Sequence, residues 1–304
     1  MSSNFINNLQ ENLKNLSKVQ NQLSSLKEVS KSSDDPMLVS QIMDLNNSII
    51  QNEEYITTIE DSIDFSNMQD SALDAATKSL SRIKTLIQQA ATDTVNDDDR
   101  KIIKAEVESE VQTLTDALNT NFGGKYIFSG QNTTTKPFSI DRDVNGEMKG
   151  FIYSGTTDTS TSGNLNRKIA QGVSIELKTD GRELLNGKGS TETPDNLGIF
   201  LAKTLSALET GDAEALSGEL LARADQEIGN IVTKRTENGA IFNRLEAAKE
   251  RNTSEKLNLE SMRSDKQDID LAEKFMEYTM EQTAYQASLA MGTKILSTSI
   301  LDYL

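Results

Sequence analysis

No glycine occurs before Gly123, and this one feature does most to limit what the chain can become. Glycine is costly inside a helix and useful in turns, and ordinary usage of about 7% would place roughly eight or nine in such a stretch. Twelve of the 17 glycines then fall between Gly123 and Gly198, and the three prolines, Pro36, Pro137 and Pro194, sit where the pattern changes. The chain therefore reads as a helical front, a turn-rich middle and a helical back.

Both ends carry apolar stripes at helical spacing. Ile6, Leu9, Leu13, Leu16, Val19, Leu23 and Leu26 step by threes and fours along the first segment, which is the signature of one apolar helix face. Near the other end Leu271, Phe275, Tyr278, Gln282, Tyr285, Leu289 and Leu296 form one row, and Met276, Met280, Ala284, Ala287, Met291 and Ile295 a second on an adjoining face. One partner helix cannot cover both rows. The expectation is a coiled-coil pair of terminal helices whose remaining apolar surface is covered by other subunits. Helices paired from the two ends of the chain make the expected fold mostly α, an elongated rod of long antiparallel helices with a β-rich insertion.

Ser30 to Pro36 reads as a break and a new start, with Ser33, Asp34 or Asp35 as the cap and Pro36 in the first turn. A helix then spans about Met37 to Ala91, carrying Leu38, Ile42, Ile49, Ile59, Leu73, Leu80 and Ile87. Thr92 to Arg100 interrupts it, and Asn96 caps the next helix with Asp97, Asp98 and Asp99 against its positive dipole end. That helix ends near Asn121 and meets Phe122 to Gly130, a Gly-Gly turn followed by a strand. Strands are expected at Phe138 to Asp141, Glu147 to Tyr153 and Val173 to Leu177, then a helix from Asn196 to Leu208 and a turn from Glu209 to Ala215. A long helix returns from Leu216 to about Met262. The expected domains are 1–33 with 265–304, 34–130 with 194–264, and a β-rich outer insertion over 131–193.

Composition removes whole classes of function. A net charge of -16 argues against nucleic-acid binding, which needs a basic footprint. The acid is uneven: residues 34–120 hold 18 acidic and 6 basic side chains, whereas residues 1–33 hold 2 acidic and 4 basic. With no His and no Cys, the usual zinc sites and the Ser-His or Cys-His nucleophile pairs cannot be built. No apolar run reaches the length of a membrane span, and Met1 to Lys14 lacks a basic start followed by an apolar core. Asp141, Asp143, Asn145 and Gly146 imitate the start of a calcium loop, but its twelfth position is Ile152, so a hairpin turn is expected instead. Gly181 to Gly189 is one residue too long for a phosphate loop and ends without the metal-binding hydroxyl. No catalytic, cofactor or metal residue is expected, and the chain does not read as an enzyme.

Several strings together resemble the flagellin superfamily: Ser32 to Pro36, Asn96 to Arg100, the run from Gly123 to Gly130 followed by Lys136 to Phe138, Leu205 to Ser217, Glu237 to Glu246 and Met280 to Ser288. The last of these, with the Tyr126 to Gly130 and Lys136 to Phe138 pair, favours the branch that joins hook to filament. The resemblance implies paired terminal helices inside, a helical bundle outside them and an outermost β insertion. It implies a structural adaptor linking a hook-associated protein to flagellin in a ring of about eleven subunits. It also implies secretion without a cleaved signal peptide through the flagellar type III export apparatus, so that the protein ends outside the cell. A cytoplasmic chaperone would hold the last helix, for which the residues are Met280, Tyr285, Leu289 and Leu296. One departure is plain: members usually carry Gly-Lys where this chain has Leu26 and Lys27.

The assembly surface is expected at Leu9, Leu13, Leu16 and Leu23 in front and at Leu271, Phe275, Tyr278, Tyr285 and Leu289 behind, with Arg235, Gly239, Asn243 and Arg244 as an inter-subunit patch. Two alternatives stand beside the adaptor. Filament flagellin would polymerise by itself, and a surface-binding module would place its affinity in residues 131–193.

Overall fold

The computed structural model describes residues 2–29, 31, 33–92, 96–156, 163–186 and 196–301. Ser30, Ser32, Gly187, Gly189 and Pro194 lie outside them, as do the side chains of Ile295 and Leu296. Three helices open the chain: α1 (Ser2–Ser25), α2 (Pro36–Ala90) and α3 (Asp97–Leu118). Three antiparallel hairpins follow: β1 (Asn121–Phe122) with β2 (Lys125–Tyr126), β3 (Phe138–Arg142) with β4 (Met148–Tyr153), and β5 (Leu165–Ala170) with β6 (Val173–Leu177). The chain returns through α4 (Arg182–Asn186), α5 (Asn196–Thr210), α6 (Ala213–Ala215), a π-helical turn at Leu216–Leu220, α7 (Leu221–Gln267) and α8 (Leu271–Leu301).

Local chemistry sets most of these boundaries. Of the three possible caps before α2 the structure uses Asp35, whose Oδ1 accepts from the backbone N–H of Met37 and Leu38 at 3.0 Å each. Pro36 opens the helix, where its missing N–H costs nothing. Asn96 caps α3 by accepting from Asp99 N at 2.8 Å. Gly123 and Gly124 take φ values of +58° and +81° between β1 and β2, the two-residue turn that matches strand twist. At the calcium-loop imitation Asp143 accepts from the N–H groups of Glu147 and Asn145, and the bond from Glu147 chiefly holds its carboxyl below the usual range. It is a turn, as its last position indicated.

The chain divides into two compact units, residues 1–53 with 253–304, and residues 54–252. The second unit owns the main core. Leu73, Ala76, Leu80, Ile83 and Ile87 of α2 pack with Ile103, Val107, Val111, Leu114 and Leu118 of α3 and with Leu197, Phe200, Leu201 and Leu208 of α5. Phe138, Met148 and Phe151 from the second hairpin enter the same core. Asn119, just past α3, ties that hairpin down: its amide donates to Phe138 O and its carbonyl accepts from Phe138 N, both at 2.9 Å. A smaller cluster joins Ile59 of α2, Ile241, Leu245 and Ala248 of α7, and Ile169, Ile175 and Leu177 of the third hairpin.

Three sequence expectations are corrected. β5 forms where the sequence reads as loop, because Asn166, Arg167 and Lys168 break any alternation of apolar residues; backbone pairing with β6 around Gly172 makes the strand. α4 forms inside the stretch that imitates a phosphate loop, where no helix is expected. A buried ion pair starts it: Asp180 accepts from Arg182 N at 3.0 Å and meets the Arg182 guanidinium at 2.6 Å, while Asn164 Oδ1 takes the N–H groups of Thr179 and Asp180. Leu26, placed in the first helical stripe, lies just beyond α1 with φ +54°.

Candidate assembly interface

The first unit is organised around the pairing of α1 with α8. The better covered positions of α1 are Phe5, Leu9, Asn12, Leu16, Val19 and Leu23, a heptad row. Those of α8 are Lys274, Tyr278, Glu281, Tyr285, Ser288 and Gly292, again stepping by four and three. Asn12 Nδ2 donates to Ser288 Oγ at 2.9 Å. The Phe5 ring lies so close to Gly292 that a Cβ there would stand 2.5 Å from Phe5 Cζ. Small residues on α8 thus let α1 approach.

The same choice leaves the bulky apolar residues outside. Of the first apolar row, Tyr278 and Tyr285 are partly covered, whereas Leu271, Phe275 and Leu289 remain 56%, 61% and 43% exposed. Met276, Met280 and Met291 of the second row are more than half exposed. At 100° per residue the two rows sit about 160° apart around α8, on nearly opposite faces and not on the adjoining ones expected, so covering one leaves the other bare. On α1, Leu9, Leu16 and Leu23 are half-buried and Leu13 is half exposed. Of the proposed chaperone contacts, Met280 and Leu289 are open and Tyr285 is partly covered.

Two connecting segments brace the base of this pair. Glu28 N donates to Gln267 O at 2.8 Å, Ile269 N to Leu26 O at 3.4 Å, and Lys27 bridges Asp268 in antiparallel fashion. Gln22, itself buried, donates to Glu28 O at 2.7 Å. Lys274 stands between Glu28 and Glu277 at 3.2 and 3.0 Å. Burial works against its charge, but the two carboxylates outweigh it and raise the Lys274 pKa.

This unit buries few apolar side chains: among the described residues Val19, Ile42 and Ile49. It exposes many, from Ile6, Leu13, Met37, Met43 and Ile50 to Leu257, Met262 and the two rows of α8. Its helices are otherwise joined by polar contacts such as Lys256 to Glu53 at 2.8 Å and Arg263 to Asn46 at 3.1 Å. A surface of this kind on a folded chain marks an interaction site.

The four residues expected to form an inter-subunit patch do not act as one group. Arg235 belongs to the second unit's own packing, bidentate to Asp70 at 2.7 and 3.0 Å and bonded to Asp74 at 2.6 Å. Gly239 has nothing within 4 Å of where a Cβ would stand, and Asn243 and Arg244 are exposed. Sequence reasoning missed Asn238, one residue before Gly239, which is buried and locked to Ser66 of α2.

Long helices from the two chain ends pair over small residues and leave large apolar side chains uncovered, the arrangement of a helical, non-catalytic scaffold. The model of the bacterial flagellin N-terminal helical region matches residues 1–133 and that of the C-terminal helical region residues 221–304. The chain belongs to the bacterial flagellin family. Among its relatives is flagellar hook-associated protein 3 of Escherichia coli, 28% identical over 294 residues, with 92% of this chain and 90% of the relative covered. The protein of the same name from Salmonella typhimurium is 24% identical, with 94% and 92% covered. The crystal structure of the flagellar junction protein FlgL from Legionella pneumophila superposes with a TM-score of 0.57 over 75% of this chain and 100% of that one, at 16% identity, and so shares its fold.

Proposed function

We propose that this chain is a structural subunit of the bacterial flagellum that joins a hook-associated protein to the flagellin filament by axial packing of its terminal helices. One observation carries the reading: the first unit exposes large apolar side chains on opposite flanks of α8, beyond anything α1 covers. Two uncovered rows suit a subunit with neighbours on both sides, and relatives named hook-associated protein 3 align with nearly the whole chain. Leu9, Leu13, Leu16, Leu23, Leu271, Phe275, Tyr278, Tyr285 and Leu289 form the assembly surface. Gly239, Asn243 and Arg244 contribute a contact between copies, and Arg235 holds the bundle beneath it.

The partners that follow are further copies in a ring of about eleven, flagellin, and a hook-associated protein. Exposed Met280 and Leu289, with Tyr285 and Leu296, are the surface an export chaperone covers before unfolded passage through the type III export apparatus. The protein then resides outside the cell, in the flagellum, as structure and not as an enzyme. The three-part division at 33/34, 130/131, 193/194 and 264/265 belongs to the same proposal. The test removes Leu271 to Leu304: the remaining chain stays folded and monomeric, and cells carrying it shed flagellin into the medium. Flagellin that stays attached would refute the proposal. Phe275→Glu with Leu289→Glu, both exposed in the free chain, gives the same loss without altering thermal stability.

A further inference from the structure

We propose that neighbouring copies of this chain are set in register by a two-rung charge ladder, with Glu54 and Asp61 on α2 of one copy facing Arg244 and Arg251 on α7 of the next. The inference rests on the structural-subunit reading and adds to it the surface by which copies recognise each other.

The argument begins with unmet charge. Between Lys31 and Lys78 the chain has no basic residue, so Glu54 and Asp61 find no counter-charge within three or four residues on their own helix. Both are exposed, and among the described residues neither forms an ion pair. Their inward neighbours are satisfied: Glu60 meets Lys249 at 2.9 Å and Asp70 meets Arg235 at 2.7 Å. α7 shows the mirror of this. Within the second unit its cations Arg223, Lys234, Arg235 and Lys249 all pair inside the chain. Arg244 and Arg251 are exposed and pair with nothing among the described residues.

The spacing matches as well as the sign. Glu54 and Asp61 are seven residues apart, and so are Arg244 and Arg251; at about 1.5 Å per residue each row separates its charges by about 10.5 Å along the helix. Two rungs therefore meet together whether the helices run parallel or antiparallel. The ground around the guanidinium groups is low. Ala240 and Ala247 lie on the same exposed row, and Gly239 beside it has open space above. The two guanidinium groups are thus flanked by small side chains on the row that a neighbouring helix would meet.

The ladder also answers a difficulty posed by composition. Residues 34–120 carry 18 acidic side chains against 6 basic ones, and copies packed side by side would repel unless a basic row lay between them. Burial of the terminal apolar rows supplies affinity but is non-directional. Charge complementarity fixes register and orientation and rejects misalignment.

The experiment uses the full chain in cells whose own copy is replaced, and measures the fraction of exported protein that stays with sheared flagella. Glu54→Arg with Asp61→Arg, and separately Arg244→Glu with Arg251→Glu, are each expected to lower retention at least about tenfold. All four together restore it, because the ladder is rebuilt with its signs exchanged. The four positions are exposed, so thermal melts of the purified variants coincide with that of the parent. Normal retention of either double variant overturns the inference, and so does failure of the fourfold variant to recover. The Phe275→Glu, Leu289→Glu variant separates the two ideas. If it is lost while the charge variants are retained, the ladder alone falls; if it is retained, the terminal-helix reading falls.

Discussion

Asn238 offers the sharpest quantitative test of how α2 and α7 are held together within the second unit. Its Oδ1 accepts from Ser66 Oγ and its Nδ2 donates to Ser66 O, both at 2.8 Å, and the two residues are 3% and 1% exposed. Asn238→Ala removes both bonds, each worth about 1 kcal/mol net, and leaves the space of a buried amide, for a total loss of about 2–4 kcal/mol. Ser66→Ala removes one bond and strands the Asn238 carbonyl, at about 1–2 kcal/mol. The double variant has no orphaned partner on either side. It is less destabilised than the sum of the singles, with a coupling of about 1 kcal/mol. Urea unfolding followed by helical circular dichroism measures all four chains. A coupling below about 0.3 kcal/mol would mean that the pair is open in solution and that the account of this contact is wrong.

At position 26 the left-handed φ of +54° reverses the usual order of two residues. Leu26→Gly and Leu26→Ala lose the same exposed side chain, yet the glycine variant is expected to be the more stable by about 1 kcal/mol, read as slower amide exchange along α1. Alanine equal to or better than glycine would place Leu26 in another conformation. Burial, with help from the charge of Asp180, pushes the Tyr153 phenol from 10.0 up to about 12. The fold thus favours the neutral phenol, and the associated stability is whole below pH 10.0 and is lost as the pH climbs through about 12. Ultraviolet titration of phenolate, with Tyr153→Phe lacking the last step, checks this; a final step near 10.0 would refute it.

Helix positions and caps were legible because they depend on neighbours in sequence. The glycine-free front, Pro36 behind an aspartate, and Asn96 ahead of three aspartates each act within a turn or two of the chain. The assembly surface was half legible. The apolar rows of α8 could be read from spacing, but not which of its faces α1 would choose, since Ser288 and Gly292 carry little apolar signal. β5 and α4 were hidden for a related reason: one is made by backbone pairing and the other by a buried Asp180–Arg182 pair that no periodicity announces.

By itself, then, the sequence determined that long helices fill both ends, that the middle turns, and that more apolar surface exists at the termini than one chain can hide. These are properties of composition and of short-range spacing. Tertiary structure alone decided which of those side chains are spent inside the molecule, because burial depends on partners far apart in the chain. Asn12 meeting Ser288, Asn238 meeting Ser66, and Arg244 and Arg251, without an ion pair among the described residues beside their paired neighbours, are facts of that kind.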